Sequence, residues 1–88
     1  MWAVVVNVTF KDSSTAKSEL DNVVATVKQA PGFVAGYWVQ LDDHNGTSIV
    51  VFDADKEQVT AAAPREGTTS PGGVTFSSVK IGEVLAHA

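Results

Sequence analysis

The sequence predicts an α+β domain in which a four-stranded antiparallel sheet carries two helices on one face. Three observations lead there. The chain has 88 residues, which fits one domain and one thin core. Its apolar segments read strand–helix–strand, then a hairpin, then strand–helix–strand, so two halves of similar length repeat one plan. It is 44% hydrophobic and 18% charged, a composition that argues against a disordered tail.

Residues 2–10, WAVVVNVTF, form the first strand, ended by the polar cluster Lys11-Asp12-Ser13-Ser14. Alternation puts Trp2, Val4, Val6, Val8 and Phe10 on one face and Ala3, Val5, Asn7 and Thr9 on the other. Both faces are largely apolar, as in a strand covered on both sides. Ser13, Ser14 and Thr15 then offer helix N-caps. Ala16, Leu20, Val23, Val24 and Val27 follow helical spacing over about four turns, and Pro31-Gly32 turns the chain.

Residues 33–41, FVAGYWVQL, read as the second strand and 47–52 as the third. Between them Asn45-Gly46 signals a hairpin. Asp55 with Gln58 makes a partial capping box for a short helix through Val59, Ala61, Ala62 and Ala63, which Pro64 stops. Residues 65–73, REGTTSPGG, read as a loop with no apolar anchor, expected to be the most mobile internal segment. Residues 74–86 form the last strand, bent or bulged at Gly82. The whole is a ferredoxin-like, split βαββαβ order over residues 1–88. Two helices cover only one side of such a sheet, yet strand one is apolar on both. The exposed face is therefore expected to pair with a second copy across a two-fold axis.

Composition narrows the function classes. The absence of cysteine removes disulfide frameworks, thiolate metal sites and cysteine nucleophiles. A net charge of −4 with Arg65 as the single arginine leaves no phosphate-binding footprint, so no nucleic-acid partner is expected. The apolar runs fall far short of a membrane span and the amino end does not read as a signal peptide, so no membrane partner and a cytoplasmic location are expected.

The arrangement resembles the dimeric α+β barrel superfamily, and within it the small antibiotic-biosynthesis-monooxygenase-like proteins. The likeness rests on Asn7 in strand one, Ala30-Pro31-Gly32-Phe33 with Gly36-Tyr37-Trp38, Val50-Val51-Phe52-Asp53, Gly73-Val74, Ser78-Val79 and Glu83-Val84. It implies a homodimer and an asparagine on strand one lining the cleft between sheet and helices. The haem-degrading branch adds a tryptophan on the second helix and a histidine after it. Val59–Ala63 and residues 65–73 hold neither, so the resemblance points to the branch without a cofactor. There an electron-rich substrate takes the cofactor's place, and the protein supplies an apolar cavity, orientation and hydrogen bonds.

The candidate site residues follow. Asn7 could donate to a substrate oxygen as charge develops, or bond a backbone group at a bulge or dimer seam. Trp38 could cap a flat aromatic ligand, with Gly36 leaving room beside it, or pack a dimer interface. Tyr37 points the other way and offers a phenol, or is a half-buried surface tyrosine. Phe76 would help shape the pocket. His44 beside Asp42 and Asp43 reads as a solvated turn, since turn spacing closes no coordination shell. His87 is penultimate and Glu83 reads as an edge charge, so no metal site is expected.

Two functions remain open from sequence. One is a homodimeric domain binding a small aromatic or apolar molecule, acting if catalytic as a cofactor-independent monooxygenase or isomerase. The other is a non-catalytic dimerisation or ligand-sensing module of the same fold.

Overall fold

In the computed structural model the chain runs β1 (Trp2–Thr9), α1 (Ser13–Lys28), β2 (Phe33–Gln40), β3 (Asn45–Phe52), α2 (Lys56–Ala62) and β4 (Thr75–Glu83). The structure describes residues 1–70 and 72–88, with the side chains of Ser13 and Thr15 outside the description. The strands pair antiparallel in the order β2-β3-β1-β4. β1 thus has a neighbour on each side, and its β-branched run is the most apolar of the chain. The result is an α+β domain compatible with a ferredoxin-like fold. Among the described residues no helix is long and apolar enough to cross a membrane.

Register decides which residues share a face. Val4 pairs with Val50 and Ile81, and Val6 with Ser48 and Val79. On the far side of β3, Trp38 pairs with Ser48. These side chains stand on the helix-bearing face, where Val4, Val6, Val50 and Phe52 join Val59 of α2 in the core. Val59 is 2% exposed. Phe33 meets Phe52 edge-on, with ring centroids 6.3 Å apart, a favoured geometry for an aromatic pair. Lys56 sets its Nζ 5.4 Å from the centre of the Trp2 ring, tying the start of α2 to β1.

The helix boundaries follow capping chemistry. Asp55 keeps an extended backbone and its side chain accepts from the Gln58 N–H at 2.9 Å, as its N-cap position predicts. Pro64 follows the C-cap residue Ala63. At the start of α1 the Asp12 carbonyl accepts from the Ala16 N–H at 3.4 Å, so the helix opens ahead of the hydroxyl cluster. Ser14 instead donates to the Asp12 carboxylate at 2.8 Å. The expected capping by the Ser13 and Thr15 side chains lies outside the described residues.

Three sequence expectations need correction. Asn45-Gly46 is not the hairpin turn: β3 already begins at Asn45, and neither residue has the positive φ that a type I′ turn demands. The turn is made by residues 41–44, closed by Leu41 N–H donating to the Asn45 carbonyl at 2.9 Å. Gly46 serves packing instead. A Cβ there would lie 3.1 Å from the Val39 carbonyl oxygen and 3.3 Å from both Phe10 Cε1 and Val8 Cγ2.

The irregularity in β4 also falls elsewhere. Gly82 pairs in register with Ala3, and the shift lies where Asn7 faces Ser78 but Val8 faces Phe76, leaving Ser77 as the extra residue. Ser77 Oγ donates to the Asn7 carbonyl at 3.0 Å.

Finally, the segment before β4 is an organised strap rather than an unanchored loop. Gly67 N–H donates to the Phe76 carbonyl at 2.7 Å, Phe76 N–H to Thr68 at 2.9 Å and Ser70 N–H to Val74 at 2.8 Å. The Thr69 and Thr75 hydroxyls bond each other at 2.9 Å. Backbone pairing, invisible to hydropathy, supplies the anchor that the side chains lack. Pro71 of the predicted loop lies outside the described residues.

Candidate functional site

The amphipathic stripe of α1 stands away from the sheet. Leu20, Val24 and Val27 are only half-buried and Val23 is 37% exposed, whereas α2 buries Val59 against the same face. Between α1 and the sheet lies an apolar cavity of about 770 Å³, open to solvent, within the usual range for a small-molecule site. Its floor is Val4, Val6 and Val50, its roof Leu20, Val23 and Val27, and Trp38 and Phe76 stand in its walls.

One end of the cavity is tied by a carboxylate. Glu19 of α1 accepts from Ser70 Oγ at 2.9 Å and from the Gly72 N–H at 3.0 Å. Ser70 Oγ in turn accepts from the Val74 N–H at 3.2 Å. Glu19 therefore fastens the strap to a helix whose apolar contacts with the sheet are sparse. Lys17 and Asn22 sit at the exposed rim.

Of the residues singled out by sequence, Trp38 and Phe76 line the cavity and Asn7 and Tyr37 do not. Asn7 is exposed on the open face of the sheet, so the expectation that it lines the cleft between sheet and helices is corrected. The reason is parity: the cavity takes the even positions of β1, and residue 7 is odd. Tyr37 is 64% exposed on that same open face, so its phenol also lies away from the cavity. Gly36 does not leave room for a ligand. A Cβ there would lie 2.6 Å from Cη2 and 2.8 Å from Cζ3 of Trp38, so the indole itself occupies that space.

The Asn7 amide makes no hydrogen bond among the described residues. Asn7→Ala and Asn7→Asp should therefore each change stability by no more than about 0.5 kcal/mol, as at other exposed positions. Thermal melts of both variants check this, and a fall of more than about 10 °C in either would show that the amide has a structural partner.

His44, Asp42 and Asn45 build a turn rather than a site. Asp42 Oδ1 accepts from the His44 N–H and from Asn45 Nδ2, both at 2.9 Å. The His44 ring reaches the Phe10 carbonyl at 3.2 Å through Nδ1. A carbonyl can only accept, so Nδ1 carries the proton. Among the described residues no group of three or more metal-ligating side chains converges. His87 and Glu83 are exposed.

The His44 backbone N–H, followed by the Asn45 side chain, holds the Asp42 carboxyl below its ordinary 3.8. A folded value lower than the unfolded one stabilises the turn fully above that ordinary value and ceases to as pH falls through the lowered one. Carboxyl NMR should give Asp42 a midpoint below 3.8. A midpoint at or above it would mean that these hydrogen bonds do not persist in solution.

Sequence reasoning missed Ser48 and Glu19. Ser48 lines the cavity and is 9% exposed. The signal was present in the alternation of β3, which places residue 48 on the face of Val50 and Phe52. For Glu19 no local signal exists, because its partners lie more than fifty residues along the chain. No family model matches the chain, and no curated protein matches it either.

Proposed function

We propose that this chain is a homodimeric domain of the dimeric α+β barrel type, which binds a small aromatic or apolar molecule between α1 and the sheet. The observation that carries this reading is the cavity of about 770 Å³ beneath a helix whose apolar stripe does not close on the sheet. Apolar surface left in water costs free energy that a bound molecule would recover. Trp38 and Phe76 add aromatic walls suited to a flat ligand.

Specific observations favour binding or sensing over catalysis. Asn7 lies outside the cavity, and Glu19 is already engaged with Ser70 and Gly72. Neither histidine lines the cavity. A reaction here would have to draw its reactivity from the substrate, with the protein supplying orientation and exclusion of water.

Native mass spectrometry of freshly purified protein tests the reading. A dimer carrying a co-purifying organic molecule supports it. An unliganded protein that also fails to bind naphthalene or 1-naphthol in titration would overturn it.

A further inference from the structure

Ser48 is the polar exception in the apolar floor of the cavity. Its neighbours across the sheet are Val6 and Trp38, and Val50 stands two residues along the same face. The residue is 9% exposed and lines the cavity. Its hydroxyl has no hydrogen-bond partner among the described residues, nor is it walled off, since no fully enclosed side-chain oxygen or nitrogen there lacks a partner. Thr47, one residue earlier on the opposite face, shows the alternative: its hydroxyl donates to the Val6 carbonyl at 3.2 Å. Ser48 keeps its hydroxyl free, facing the cavity.

A hydroxyl held in an apolar surround gains by meeting a hydrogen-bonding group there. We propose that Ser48 is the polar anchor of the cavity and that its ligand is a neutral ring compound with one hydrogen-bonding oxygen, seated on Ser48 Oγ with the ring against the Trp38 indole. The inference rests on the ligand-binding reading above and gives it a chemical class. The cross-strand pairing of Ser48 with Trp38 keeps their Cβ atoms about 5 Å apart, so the oxygen belongs on the ring or one atom from it. Neutrality follows from the charges around the cavity. Glu19 would repel an anion and is committed to the strap, while Lys17 stays at the exposed rim. An ionised group at Ser48 would lose its hydration without gaining a counter-charge.

Isothermal titration with naphthalene, 1-naphthol and 1-naphthoate near neutral pH tests this. In the wild-type protein 1-naphthol should bind roughly five- to tenfold more tightly than naphthalene, the gain from one buried hydrogen bond, and 1-naphthoate more weakly than 1-naphthol. Ser48→Ala should bring 1-naphthol down to the affinity of naphthalene and leave naphthalene unchanged. Ser48→Cys keeps the side chain's shape with a weaker donor, and should lie between. Equal binding of naphthalene and 1-naphthol, a preference that survives Ser48→Ala, or tightest binding of 1-naphthoate would each overturn the Ser48 assignment while leaving the cavity as a binding site. Binding of none of the three by the wild-type protein would overturn the binding reading itself, and the anchor with it.

Discussion

Gly36→Ala is expected to destabilise the domain and close its cavity in one step. The added methyl would lie 2.6 Å from Cη2 of Trp38, well inside the contact distance of non-bonded carbons. The β2 backbone is held on one side by its pairing with β3, where Gly36 lies opposite Val50 midway along the strand. The indole must therefore rotate, and the open space beside it is the cavity that it lines. Overpacking of this kind costs about 1–3 kcal/mol, equivalent for a domain of this size to a fall in Tm of roughly 4–20 °C. The displaced ring would also fill the volume that a ligand needs, so affinity for 1-naphthol should fall by far more than stability alone explains. Thermal melts, tryptophan fluorescence and titration of the same variant report the three effects. Wild-type melting with unchanged binding would show that Trp38 does not rest on Gly36 in solution.

Much of the fold was legible because local rules and tertiary packing agreed. The β-branched run of β1, the stripe of α1, the Asp55 cap and the Pro64 stop each specify one local structure, and nothing in the tertiary structure overrides them. Asn45-Gly46 misled because the same dipeptide satisfies two physical demands. A tight turn wants glycine for its positive φ, whereas here Phe10 and Val8 press on Gly46 within a strand. The strap misled for another reason. Many of its hydrogen bonds join backbone groups or reach Glu19 on α1, and composition records neither.

The candidate site was legible only in part. Trp38 and Phe76 announce themselves by size, and the cavity takes both. Asn7 drew attention as the polar break in an apolar strand, but chemical contrast does not specify a face. Parity does, and parity puts residue 7 opposite the helices. The same rule applied to β3 brings out Ser48, a small hydroxyl at an inward position between larger apolar neighbours. The cavity itself has no sequence signature. The stripe of α1 reads as a helix packed on a core, and only the distance it keeps from the sheet turns that stripe into a roof.

Ile49→Lys is expected to convert a dimer into a monomer. On the open face of the sheet, Ile49 pairs between Val5 and Tyr37. Ile49 is 43% exposed, Tyr37 64% and Val39 50%. This apolar half of the face lies over β1, β3 and β2, while Asn7, Ser78 and Lys80 make the half over β1 and β4 polar. An exposed apolar patch of this kind on a small domain is what a second copy would cover. A two-fold axis would present each substitution to both subunits, so every dimer would carry two lysines where apolar contacts had been. An unpaired buried charge costs about 3–5 kcal/mol, which lowers dimer affinity at least a hundredfold. Light scattering at micromolar concentration should find the wild-type protein dimeric and Ile49→Lys monomeric. The wild-type Tm should rise with protein concentration and that of the variant should not. Ser78→Lys, on the polar half, should leave the dimer intact. A wild-type protein that is monomeric and stably folded would remove the dimer, and with it the barrel. A dimer unaffected by Ile49→Lys but broken by Ser78→Lys would move the interface to the polar half of the sheet.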